Sequence, residues 1–170
     1  MDRREGWTLR RDLLPDDPKK IRCLIESTGY FSPAEIEIAW ELACETLEKG
    51  DKAGYHFLIA EQRAELNGYS CFGPIPCTRS SYDLYWIAVA PLLQGRGIGR
   101  WLVEETEQHI AGLGGTRIYV DTSSRDQYLP TRRFYEHCGY RTAAVLRDFY
   151  APGDDKCVYL KELPSSMSAP

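Results

Sequence analysis

The segment Gln94-Gly95-Arg96-Gly97-Ile98-Gly99-Arg100 concentrates three glycines and two arginines at one turn. Glycine lets a backbone approach a ligand closely, and a helix opening there presents unpaired N–H groups at its positive end. A pyrophosphate suits such a turn, with Arg96 or Arg100 as charge partner. A plain strand-to-helix turn needs the same glycines, so both readings stay open. The segment lacks the G-K-[ST] ending of a nucleotide P-loop and the third glycine position of the dinucleotide fingerprint.

Other chemistries find less support. His56, His109 and His137 have no Ser, Cys or carboxylate in a recognisable triad frame, so they are expected at the surface or in packing. The six cysteines, at 23, 44, 71, 77, 138 and 157, contain no C-x-x-C pair, and no metal site is expected. Cys23, Cys44 and Cys157 are expected to pack as small hydrophobes. Cys71 and Cys77 are assigned to a Gly/Pro loop.

The elements that must position the turn follow from periodicity. Tyr82 to Val89 is an aromatic and β-branched strand that Pro91 ends, and a helix is expected from about Gly97 to Ile110. Gly112 and Gly114-Gly115 close it, and Arg117–Asp121 reads as the next strand. A strand–helix–strand unit of this kind is normally parallel and right-handed. A short helix over Thr131–His137 ends at Gly139.

Upstream, a strand is expected near Trp7–Arg10 and a helix after Asp17-Pro18. A second helix starts at Ser32-Pro33-Ala34-Glu35, which combines a capping serine, a first-turn proline and a glutamate three residues after the cap. Tyr55–Ala60 and Ala64–Tyr69 read as a hairpin turning at Glu61-Gln62-Arg63, after which 71–76 breaks regular structure. Arg141–Phe149 and Lys156–Leu160 form a closing hairpin around Pro152–Asp155. The pattern is α/β (α+β) with a mixed sheet.

At this point the sequence resembles the GNAT superfamily of acetyl-CoA-dependent N-acetyltransferases. Gln94–Gly99 matches its Q/R-x-x-G-x-G/A motif, placed just after a strand that ends Trp86-Ile87-Ala88-Val89. Phe134-Tyr135-Glu136-His137-Cys138-Gly139-Tyr140 is similar to its F-Y-x-x-x-G-F/Y segment, 38 residues beyond Gly97 to the tyrosine. The resemblance covers roughly residues 7–162 and implies a mostly antiparallel mixed sheet of about seven strands, with acetyl-CoA in a gap between the fourth and fifth. Residues 163–170 are read as a flexible tail. Tyr128 and Thr131 stand where family members often carry asparagine and alanine, and their hydroxyls are the replacement contacts offered to the pantetheine.

The resemblance also implies roles. Val89 N–H polarises the thioester carbonyl at a strand bulge, and Ile87 with Val89 pairs the pantetheine arm through backbone groups. Gln94 to Arg100 hold the pyrophosphate. Tyr135 is the candidate acid for the leaving thiolate, with a packed core aromatic as the alternative. Asp83 lies six residues before Val89, on the same strand face by alternation, and matches a family position holding a base. A structural ion pair is the other reading of Asp83, and Glu61 and Glu65 are weaker base candidates. Asp148-Phe149-Tyr150 and Gly153-Asp154-Asp155 either attract a cationic amine or form an ordinary solvated turn. Thr122–Ser124 either hydrogen-bond a ligand or cap the connection.

Composition bounds the rest. With 21 basic and 25 acidic residues the net charge is −4, and without a basic block nucleic acid is not an expected partner. At 43% hydrophobic over 170 residues, one core can form without staples. No apolar run reaches membrane-spanning length, and the charged start Met1–Trp7 is not expected to be a secretory signal, so a cytoplasmic, non-membrane protein is expected. The expected activity is acetyl transfer from acetyl-CoA to a small-molecule or peptide amine, directly in a ternary complex and without metal. A non-catalytic acyl-CoA sensor is the alternative. Exposed sheet edges are compatible with a homodimer.

Overall fold

A computed structural model describes residues 6–164. The charged start at 1–5 and the Ser/Pro stretch at 165–170 lie outside the described residues. Among the described residues seven strands form one mixed sheet in the order β1-β2-β3-β4-β5-β7-β6, accompanied by four helices, as the expected fold class requires. The chain divides into two compact units, the first built from residues up to Gly73 with Trp86–Thr106, the second from Pro74–Tyr85 with Glu107 onward.

In the first unit, β1 (Trp7–Arg10) pairs antiparallel with β2 (His56–Gln62), which pairs antiparallel with β3 (Glu65–Pro74). Arg10 closes the unit's edge by bridging Asp17 (2.7 Å) and Glu61 (2.6 Å). Asp17 is fully buried and also accepts from Leu14 N, so its charge is met on two sides. Helix α1 (Asp17–Thr28) ends at Gly29 with φ 69. Helix α2 (Pro33–Lys49) opens with the expected reciprocal cap, Glu35 N donating to Ser32 Oγ and Ser32 N to Glu35 Oε2. Ile21, Ile25, Ala39, Ala43, Phe57, Ile59 and Tyr69 are among the core residues. A Cβ on Gly68 of β3 would stand 3.1 Å from Ala88 O and 3.2 Å from Leu102 Cδ1, so only glycine lets these backbones approach.

Two expectations fail here. The hairpin turns at Arg63-Ala64, both at positive φ (56 and 61), rather than at Glu61–Arg63. A two-residue turn of this hand matches the twist of the flanking strands, and the pairing therefore extends to Gln62↔Glu65. The segment at 71–76 does not break regular structure at its start. Cys71 and Phe72 are buried in β3, which runs to Pro74, because cross-strand partners Phe57 and His56 outweigh the local glycine and proline signal.

In the second unit, β4 (Ser81–Val89) supplies its first residues, which pair parallel with β5 (Arg117–Ser123) over Ser81–Asp83 against Arg117–Tyr119. β5 pairs antiparallel with β7 (Asp154–Glu162), and β7 with β6 (Arg141–Ala151). The closing turn is Pro152-Gly153, shorter than expected, since Asp154 and Asp155 already belong to β7. Gly115 ends the connection after α3 (Ile98–Gly112): a Cβ there would meet Ile110 Cγ2 at 2.3 Å and Tyr82 Cδ2 at 2.8 Å. Helix α4 begins at Leu129, two residues before the expected start, with Pro130 in its first turn. Lys161 binds Glu107 (2.7 Å) and the carbonyl of Cys138 (2.7 Å), anchoring the end of α4 to β7. None of the six cysteines is in a disulfide, and Cys23, expected in packing, is exposed in α1.

Candidate active site

The first unit holds the glycine turn. β4 ends at Val89, Pro91–Leu93 makes one short 3₁₀ turn, and α3 begins at Ile98. Gly95 and Gly97 take φ 74 and 88, a left-handed backbone that other residues adopt only under strain. No atom stands within 4 Å of a Cβ built on either glycine, so the turn faces open space. The N–H groups of Ile98, Gly99 and Arg100 precede the first helical bond, from Trp101 N to Gly97 O (3.0 Å). Open space in front of a helix N-terminus with Arg96 exposed beside it fits an anion such as the pyrophosphate of acetyl-CoA.

Gln94 and Arg100 are engaged within the chain. The Gln94 amide donates to Val89 O at 3.2 Å, which ties the turn to the end of the strand. Arg100 Nε donates to Glu104 at 2.9 Å across one helical turn. The strand's two-residue alternation of burial holds from Ser81 to Tyr85 and lapses at Trp86 and Ile87. The Trp86 indole N–H is buried without an acceptor among the described residues, a feature that sequence reasoning missed because it depends on tertiary burial.

The second unit holds the titratable candidates. Asp83 is half-buried, and burial together with the nearby Asp121 carboxylate pushes it up to about 6, against a smaller opposing pull from Lys156. Lys156 forms an ion pair with Asp121 and lies 4.8 Å from the centre of the Phe149 ring. This acid–acid–lysine grouping was invisible in the sequence, since it joins three strands whose order had to be known first. Tyr135 is 4% exposed and packs against Phe134, Tyr140 and Tyr159, with ring centres 5.3, 5.5 and 6.4 Å away. Burial holds its phenol proton well above the ordinary value.

Tyr128 is buried just before α4, with the Arg125 guanidinium 5.5 Å from its ring centre, and Thr131 is half-buried in the helix's first turn. Arg132 Nη1 donates to Ser123 O (2.7 Å) and Arg125 O (3.0 Å), pinning the connection that carries Tyr128. Thr122 and Ser123 are buried, and Ser123 Oγ donates to Asp154, so the capping reading describes this stretch.

Asp154 is not open to a cationic amine. It is buried and paired with Arg125 (3.1 Å). Asp148 accepts from Gly153 N and Asp155 from Asp148 N, which is the turn chemistry set out as the alternative. Glu61 is engaged in an ion pair with Arg10. His56 stacks on Phe72 and burial lowers its basicity, while His137 lies against Arg133 O. Among the described residues no group of three or more His, Cys, Asp or Glu side chains is placed to hold a metal, and no helix is long and apolar enough to cross a membrane.

The model of the acetyltransferase (GNAT) domain matches residues 53–142, a stretch that contains the glycine turn and the Phe134-Tyr135 segment. The chain belongs to the GNAT acetyltransferase family. A crystal structure of a GNAT-family protein from Desulfovibrio desulfuricans is 46% identical over 92% of this chain and 98% of that one, with a TM-score of 0.91. Solved structures of lower identity share the fold. An aminoglycoside 6'-N-acetyltransferase complexed with coenzyme A is 18% identical (TM-score 0.73, 92% of this chain and 98% of that one). The ribosomal-protein-S18-alanine N-acetyltransferase of Escherichia coli is 16% identical (TM-score 0.73, 96% and 99%). No curated protein sequence matches the chain.

Proposed function

We propose that this GNAT chain transfers the acetyl group of acetyl-CoA to a primary amine, directly and within a ternary complex, through a transferase domain spanning residues 7–162. The observation that carries this reading is the Gly95–Gly97 turn, left-handed, open and leading directly into the N-terminus of α3. Ile98, Gly99 and Arg100 offer N–H groups to the pyrophosphate, Arg96 adds charge, and Gln94 holds the turn in place through Val89. Ile87 and Val89 contribute backbone groups to the pantetheine arm, and Val89 N–H polarises the thioester carbonyl. Tyr128 and Thr131 supply hydroxyls in place of an asparagine contact.

Acetyl-CoA supplies the activated acyl group. The new bond forms from amine nitrogen to acyl carbon as the C–S bond breaks, and an ammonium acceptor gives up two protons overall. One leaves through Asp83, whose raised value suits a base near neutral pH. The other reaches the sulfur, to which the Tyr135 hydroxyl donates a hydrogen bond. With its phenol proton held so firmly, Tyr135 is better suited to donate that bond than to surrender the proton outright. Amine acceptors are supported by the relatives, one named for an aminoglycoside and one for a protein alanine.

The test is calorimetric titration of the chain with acetyl-CoA, followed by an amine panel read by free thiol release. Saturable binding with amine-dependent thiol release is expected. Binding without transfer to any amine would leave an acyl-CoA sensor, and absence of binding would remove the cofactor assignment.

A further inference from the structure

Asp83 is the last residue of β4 to pair with β5, opposite Tyr119. Side chains alternate along a strand, so Asp121, two residues beyond Tyr119, stands on the same face as Asp83. The register of β5 with β7 sets Lys156 opposite Ser123, on that face too and diagonal to Asp121. The other face is the packed one, where Ile118, Val120, Cys157 and Tyr159 are buried. Three ionisable groups thus share the more open face where the β4–β5 pairing ends.

Lys156 is fixed from two sides. Its ammonium pairs with Asp121 and lies 4.8 Å from the centre of the Phe149 ring. Other charges of these strands are engaged elsewhere. Arg117, on the same face of β5, pairs with Glu162 of β7 at 3.3 Å, and Arg141 of β6 holds the same carboxylate at 3.2 Å. On the other side of β4 lie Pro74 and Ile75, which carry no charge, with Ile75 N donating to Ser81 O at 2.9 Å. Among the described residues, the charges that act on Asp83 are Asp121 and Lys156, with opposite sign.

We propose that the Asp121–Lys156 pair regulates Asp83: the Asp121 carboxylate makes Asp83 a stronger proton acceptor, and Lys156 limits that effect by neutralising Asp121. Both act through Asp83 and are positioning residues. The inference rests on Asp83 as the base of the proposed acetyl transfer. An ion pair with a purely structural role loses the same contact whichever partner is removed. A pair that regulates a third charge behaves differently. Removing Asp121 leaves a lone ammonium beside Asp83, and removing Lys156 leaves a lone carboxylate.

Carboxyl carbon NMR titration of Asp83 in the full chain tests it, beside the pH–rate profile of thiol release from acetyl-CoA with the best amine of the panel. Asp121→Asn should move the Asp83 midpoint about one pH unit below wild type, and Lys156→Met should raise it by about half a unit. Lys156→Arg keeps the charge and should restore the wild-type midpoint. The acid limb of the rate should follow the midpoint in each variant. The Asp121 and Lys156 side chains are 41% and 21% exposed, so none of these replacements opens a core. Midpoints that stay put, or that move the same way in Asp121→Asn and Lys156→Met, overturn the proposal. An acid limb that survives Asp83→Asn instead overturns Asp83 as the base, while the NMR midpoints still decide the coupling.

Discussion

Gln94 donates from Nε2 to the main-chain carbonyl of Val89 at 3.2 Å, so the residue that opens the glycine turn is fastened to the last residue of β4. The side chain therefore holds the start of the turn against the end of the strand. Gln94→Ala should raise the Kd for acetyl-CoA about 5-fold, the worth of one net hydrogen bond near ~1 kcal/mol, while kcat stays within about 2-fold. Calorimetry and steady-state kinetics separate the two quantities, and a kcat loss larger than the affinity loss would count against a positioning role.

Gly97 has φ 88 and nothing of the protein within 4 Å of a notional Cβ. Gly97→Asp is thus free of internal clash. Its effects come from left-handed strain of about 1–2 kcal/mol and from a carboxylate placed where an anion is to bind. Acetyl-CoA binding should vanish, and Tm should fall by roughly 2–8 °C. Gly97→Ala carries the strain without the charge and should retain weakened binding. Equal binding by both variants and wild type would remove the pyrophosphate from this turn.

Asp83 is pushed up to about 6 by burial and by Asp121, so only above that value is its carboxylate ionised and able to take a proton. The rate should fall as pH drops through about 6, and Asp83→Asn should be slow with that limb gone. The fold responds in the opposite sense. Its raised value means the folded chain holds the Asp83 proton more tightly than the unfolded chain, so stability is lost as pH rises from 3.8 through about 6. Asp83→Asn should therefore melt higher than wild type at about pH 8, with the gap closing below the ordinary carboxylate value. Melting curves at both pH values, beside the pH–rate profile, check the two signs independently.

Tyr135→Phe keeps the ring that packs against Phe134, Tyr140 and Tyr159 and removes only the hydroxyl. The rate should drop by about 10–10³-fold with acetyl-CoA affinity nearly unchanged. Presteady thiol release measured with wild-type and variant chains gives the comparison. An unaltered rate would leave Tyr135 as a core aromatic.

Much of this protein is written in local sequence. The reciprocal cap at Ser32 and Glu35, the glycine turn at 94–99 and the order of elements need only neighbours along the chain, so their chemistry was legible without a structure. The hairpin at Arg63-Ala64 was misplaced because a two-residue turn without glycine leaves no composition signal, its hand being set by the twist of paired strands. Cys71 and Phe72 looked like loop for the same kind of reason: burial against β2 decided them.

The candidate site divides along the same line. The turn is a contiguous motif, and its fitness for an anion follows from glycine φ angles and helix N–H groups that sequence determines locally. The state of Asp83 does not. Its raised value comes from burial and from Asp121, against an opposing pull from Lys156, and these groups come near it only because β5 lies beside β4 and β7 beside β5 in the sheet order. Likewise Asp154, an ordinary turn residue by sequence, is buried and paired with Arg125. Charge and spacing along a chain name the groups that can do chemistry, but burial and long-range neighbours set their protonation and availability, and those belong to tertiary structure.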